Sequence, residues 1–116
     1  MKSIRGAITV STDTVEAIHQ ATIELLDEVA RRNDLCVDDV IDIFFTLTHD
    51  LCADFPARAA RAHGWDVPML DMQEVPVPGS LPRCLRVLLH VERDGPVRHA
   101  YLREARALRP DLEEEQ

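Results

Sequence analysis

Arg86 stands in the middle of Pro82 to Val91, PRCLRVLLHV, where a guanidinium set among apolar neighbours needs an anion. Two sources are open: an acidic side chain on a neighbouring strand, or a ligand. Arg5, Arg58, Arg61 and Arg109 are further arginines along the chain, and Arg5 occupies the same kind of position as Arg86 on another alternating segment. On a chain of net charge −8, clustered arginines would form a local positive pocket suited to a small dicarboxylate, whereas dispersed ones would be ordinary surface charge. Glu74, between a short apolar segment and the rigid PVPG stretch, could accept from a ligand hydroxyl, pair with an arginine or stay solvated. His49 and Cys52, with His63 further on, lack the second tight ligand pair of a zinc site, so no metal is expected. His19, His49, His90 and His99 are possible bases, but no nucleophile motif such as G-x-S-x-G accompanies them. These residue types point to a small anion held by arginines.

The elements that must position these groups follow from periodicity. From Pro82 to Val91, Leu85, Val87, Leu89 and Val91 fall on one face of a strand, and Cys84, Arg86, Leu88 and His90 on the other. Ser3 to Val10 alternates in the same way, with Ile4, Gly6, Ile8 and Val10 opposite Ser3, Arg5, Ala7 and Thr9. Val15, Ile18, Thr22, Leu25, Leu26 and Val29 recur at helical spacing, with Asp13 and Glu16 at capping-box distance before them and Arg31, Arg32 and Asn33 at the end. Val40 to Leu47 predicts a third strand whose apolar face is Ile41, Ile43, Phe45 and Leu47. A short helix is expected from Pro56 to the stop at Gly64, an edge strand over Val67 to Met72, and a loop over Val75 to Pro82. Val97 to Leu108 suits helix by propensity and strand by pattern. The expected fold is α+β, a mixed β-sheet of about five strands with one long helix on one face. The other face carries Arg5, Arg86, Phe44 and Leu88, and a second copy of the chain is the simplest cover for it.

At 116 residues the chain suits one domain, expected as residues 1–108 with a mobile tail at 109–116. The acidic balance argues against nucleic acid and anionic membrane surfaces as partners. Three cysteines without a CxxC pair, and no apolar run suited to a signal peptide or membrane span, suggest a cytoplasmic protein.

Six strings, in order, carry a resemblance: RGAITV at Arg5 to Val10, the DxxAxFPAxAxR-like pattern within Asp50 to Arg61, MQEV at Met72 to Val75, LPRCLRVLLHV at Leu81 to Val91, RHAYL at Arg98 to Leu102, and LRPDL at Leu108 to Leu112. Together they resemble the monofunctional chorismate mutases of the trimeric α/β class. The resemblance implies a homotrimeric pseudo-α/β-barrel, with mixed sheets of three chains packed inside, long helices outside, active sites at subunit interfaces, and Val97 to Leu108 as strand. It further implies rearrangement of chorismate to prephenate, the branch step toward phenylalanine and tyrosine, without a cofactor. By matching position, Arg86 meets the ether oxygen, Glu74 accepts from the ring hydroxyl, and Arg5 and Tyr101 bind the side-chain carboxylate. Phe55, Ala57 and Arg58 match a pocket wall from the neighbouring subunit, Arg61 and Met72 join the binding set, and Leu108 and Arg109 match a closing tail. Asp71 departs from the pattern, standing where relatives can have a cysteine that binds the same hydroxyl, and Arg58 stands where a lysine can occur. Two alternatives share this architecture: a trimeric imine deaminase-like enzyme and a non-catalytic small-anion binder. The MQEV, LPRCLRV and LRPDL strings favour the mutase.

Overall fold

The structure is a computed structural model and describes residues 1–110. Residues 111–116, most of the expected tail, lie outside the described residues. Five strands, β1 (Lys2–Thr9), β2 (Val40–Leu47), β3 (Met69–Gln73), β4 (Cys84–Val91) and β5 (Ala100–Tyr101), form one sheet in the order β3-β2-β4-β1-β5. The sheet is mixed, because β4 runs antiparallel to both β1 and β2 while β3 and β5 lie parallel to their neighbours. β3 is an edge strand, as Pro68 beside it suggests.

Helix α1 (Val15–Asn33) buries Ile18, Ala21, Thr22, Leu25, Leu26 and Val29 against Ile4, Ile8, Ile43, Phe45, Leu85 and Leu89 of the sheet. Each Ile, Leu or Val so buried contributes roughly 2 kcal/mol. Gly6 sits beneath this contact. A Cβ there would lie 3.0 Å from the Ala100 carbonyl oxygen and 3.1 Å from both Leu25 and Val87, so glycine lets β5 and α1 approach β1 together. A short helix, α2 (Pro56–Ala62), packs beside α1 and buries Ala57, Ala59 and Ala60. The opposite sheet face carries, among the described elements, only the 3-10 helix Arg103–Leu108, which covers Ala7 and Cys84 through Ala105 and Leu108.

Three local expectations change. The helix cap is Thr14, whose Oγ1 accepts from the Ala17 N–H at 3.1 Å. Asp13 instead accepts the N–H groups of Cys52 and Ala53, both at 2.9 Å, and so ties the loop before α2 to the start of α1. Ile41 is exposed rather than core-facing, because the register shifts between Val40 and Asp42 and a bulge turns Ile41 outward while Val40 takes the core position. Only Ala100–Tyr101 of the 97–108 segment is strand. The chain then turns at Arg103, φ 55°, into the 3-10 helix, where the Arg103 guanidinium donates to the Thr9 carbonyl oxygen and pairs with Glu24.

Candidate active site

Strand register assembles the first part of the site. Thr46 on β2 and Ala7 on β1 flank Arg86 on β4, and one step along the strands Phe44 and Arg5 flank Leu88. Arg5, Phe44, Thr46, Arg86 and Leu88, with Met72 and Tyr101, line a concavity of about 470 Å³ on the sheet face away from α1. Arg5, Arg86, Phe44 and Leu88 therefore share one face, as alternation predicts. Tyr101 arrives because β5 pairs with β1 at Ala7. The Arg5 guanidinium has no acidic partner among the described residues, and its backbone N–H donates to His99 Nδ1 at 2.9 Å.

Arg86 answers its two open possibilities in an intermediate way. Its Nε lies 3.1 Å from Glu74 Oε2, within ion-pair range, yet the N–H does not point along a hydrogen bond and is a buried donor without an acceptor among the described residues. The Coulomb attraction is real; the hydrogen-bonding capacity is unspent. Glu74 follows β3, so it is not on a strand adjacent to β4. It reaches Arg86 across β2, where its Oε2 accepts from Thr46 Oγ1 at 2.8 Å, while its own N–H donates to the Leu47 carbonyl oxygen at 2.8 Å. The Glu74 Oε1 remains available as an acceptor. Cys84, two residues before Arg86 on β4, is fully buried, and burial pushes its thiol up to about 11 despite the nearby guanidinium.

A second concavity, of about 500 Å³, contains Asp54, Phe55, Arg58, Asp71 and Met72. Met72 borders both concavities. The Arg58 guanidinium lies over the Phe55 ring at 5.6 Å from its centroid and 3.3 Å from Asp54. Asp71 does not join Glu74. Its Oδ1 accepts the Ala57 N–H at 3.1 Å, which binds β3 to the first turn of α2, and burial raises its pKa, offset in part by that bond and by Arg61. Ala57 is a buried packing residue, and Arg61, Leu108 and Arg109 border neither concavity within one chain. Thr46 and Asp54 were not marked by the sequence pattern. Thr46 shares strand parity with Phe44 and could have been found that way, whereas nothing local distinguishes Asp54. Among the described residues no cluster of His, Cys, Asp and Glu could hold a metal ion.

A mixed sheet with an open arginine-lined face, a carboxylate acceptor and a tyrosine defines an α+β protein built to hold a small polar anion. The comparison with known families is specific: the model for chorismate mutase type I matches residues 1–112, and the chain belongs to that family. It is 54% identical to the chorismate mutase AroH of Thermus thermophilus, across all of this chain and 99% of the relative. It is 44% identical to the chorismate mutase AroH of Bacillus subtilis, across 97% and 92% of the two chains. Among solved structures, a chorismate mutase from Clostridium thermocellum superposes with a TM-score of 0.89 at 46% identity, covering 92% of this chain and 99% of the other.

Proposed function

We propose that this isomerase converts chorismate to prephenate, in the branch of aromatic amino acid biosynthesis that leads to phenylalanine and tyrosine. The reaction is intramolecular: the ether carbon–oxygen bond breaks as a carbon–carbon bond forms, and no proton, electron or group leaves the substrate. A catalyst need only hold the compact conformer and stabilise charge accumulating on the ether oxygen. The observation that carries the reading is the Arg86 guanidinium, which lines the first concavity with 42% of its side chain open, while Glu74 lies 3.1 Å from its Nε without taking a hydrogen bond from it. The open edge of the guanidinium meets the ether oxygen, most strongly in the transition state.

Glu74 accepts from the ring hydroxyl, and Arg5 with Tyr101 binds the side-chain carboxylate. Phe55, Ala57, Arg58, Arg61, Asp71 and Met72 form or brace the facing wall. Leu108 and Arg109 close over the ligand bound to the 1–108 domain. The active unit is a homotrimeric pseudo-barrel with each site between two subunits. Support comes from the sheet face that only a short 3-10 helix covers in part, from the exposed Leu70 and Met72 on edge strand β3, and from the division of the candidate residues between two concavities. The free cysteines Cys36, Cys52 and Cys84 suit a cytoplasmic enzyme. The family match and the unspent Arg86 donor favour this reading over an imine deaminase-like enzyme or a silent anion binder.

The test mixes purified protein with chorismate and follows the loss of its ultraviolet absorbance, with prephenate verified by acid conversion to phenylpyruvate. Steady consumption is expected. An intact oligomer that leaves chorismate unchanged would overturn the reading.

A further inference from the structure

Arg58 is 64% exposed at its side chain, and a free arginine on a surface must give up rotamer freedom before a ligand can hold it. Asp54, immediately before Phe55, is its opposite: only 7% of its side chain is exposed, and both oxygens are engaged. Oδ2 lies 2.6 Å from His19 Nε2 on α1. Oδ1 accepts the Phe55 N–H at 2.8 Å and lies 3.3 Å from Arg58 Nη1. The Phe55 N–H, then His19 and Arg58, hold the Asp54 carboxyl below its usual range, so it stays ionised. One edge of Arg58 is thus occupied, and its face rests on Phe55.

We infer that Asp54, anchored to α1 through His19, is a positioning residue that fixes Arg58 on the Phe55 ring, with the remaining guanidinium nitrogens directed to a carboxylate of the bound substrate. Three consequences of the geometry support it. Nη1 is the Arg58 nitrogen that comes nearest to an acidic group, and among the described residues Nε and Nη2 make no hydrogen bond, which leaves them for a second, planar acceptor. The Asp54 carboxylate has cationic or N–H partners at each oxygen, so it presents little uncompensated negative charge to an incoming dianion, although Asp71 lies in the same concavity. The loop carrying Asp54 is held from behind, by Asp13 through the Cys52 and Ala53 N–H groups, so the anchor does not drift with the arginine.

The inference rests on the chorismate reading and is tested in the full-length protein by a double-mutant cycle of Asp54→Asn with Arg58→Ala. Asparagine keeps the shape and loses the charge. With wild type active, Asp54→Asn should raise KM about three- to fivefold and leave kcat within about twofold, the scale of a partly exposed ion pair acting on binding alone. Added to Arg58→Ala it should change KM no further, since its action passes through Arg58. A purely structural aspartate would lower the melting temperature without this KM dependence on Arg58. Should Asp54→Asn fail to fold, His19→Gln, which removes the Oδ2 partner on α1, must show a smaller KM rise that likewise vanishes with Arg58→Ala. An unchanged KM, or effects that simply add, would overturn the positioning role while leaving the enzyme's activity established. A wild type that does not convert chorismate would bring down both.

Discussion

At the scale of single residues, the proposed mechanism separates a group that acts on the reacting bond from groups that hold the molecule. Arg86 has an unspent Nε–H and a flanking carboxylate that keeps the guanidinium in place without saturating it. Removing one preorganised donor at a developing oxyanion typically costs about 3 to 4 kcal/mol, so Arg86→Ala should lower kcat by roughly a hundred- to a thousandfold. Arg58→Ala should chiefly raise KM, because its partners Phe55 and Asp54 place it on a wall and not at the ether oxygen. Steady-state kinetics of the two variants side by side reads this division directly, and an Arg86→Ala enzyme with near wild-type turnover would remove the mechanism.

At the scale of elements, the C-terminal end of α1 does more than stop a helix. Glu28 holds Arg31 and Arg32, and Arg32 Nη1 donates to the His99 carbonyl oxygen while Asn33 Nδ2 donates to that of Arg98. These contacts deliver the segment that enters β5, and with it Tyr101. The paired arginines, Arg31 first, hold the Glu28 carboxyl at about 2, against an ordinary value of 4.5. A carboxyl depressed on folding adds stability that is fully present above about 4.5 and is lost as pH falls through about 2. Glu28→Gln should therefore lower stability by about 1 kcal/mol at pH 7, the exposed Arg31 side being screened, and by progressively less toward pH 2. Denaturant unfolding at both pH values checks the sign.

At the scale of the whole molecule, Arg86 lies in one concavity and the wall of Phe55 and Arg58 in the other, with Met72 bordering both. In the proposed trimer, one subunit's first concavity would face a neighbour's second. If so, Arg86→Ala and Arg58→Ala subunits complement each other. Co-refolding equal amounts of the two variants should restore roughly a quarter of the wild-type sites by random assortment. No recovery in a mixed trimer would mean that each site is complete within one chain.

The sequence alone determined which residues share a face and where the long helix runs. Side-chain direction alternates along any strand and repeats every 3.6 residues along any helix, so Arg5, Arg86, Phe44 and Leu88 were grouped before any distance was known. Family strings added Tyr101 and gave the already marked Glu74 a role, and no periodicity could bring either to Arg86. Tertiary structure alone decided how those groups meet. Glu74 reaches Arg86 only because β2 lies between β3 and β4 and offers Thr46 as a support. Asp13 leaves its capping position for a loop about forty residues away along the chain, Ile41 leaves the core through a bulge, and Asp54 joins α1 to Arg58. Each depends on strand order and loop path, which local backbone geometry does not encode.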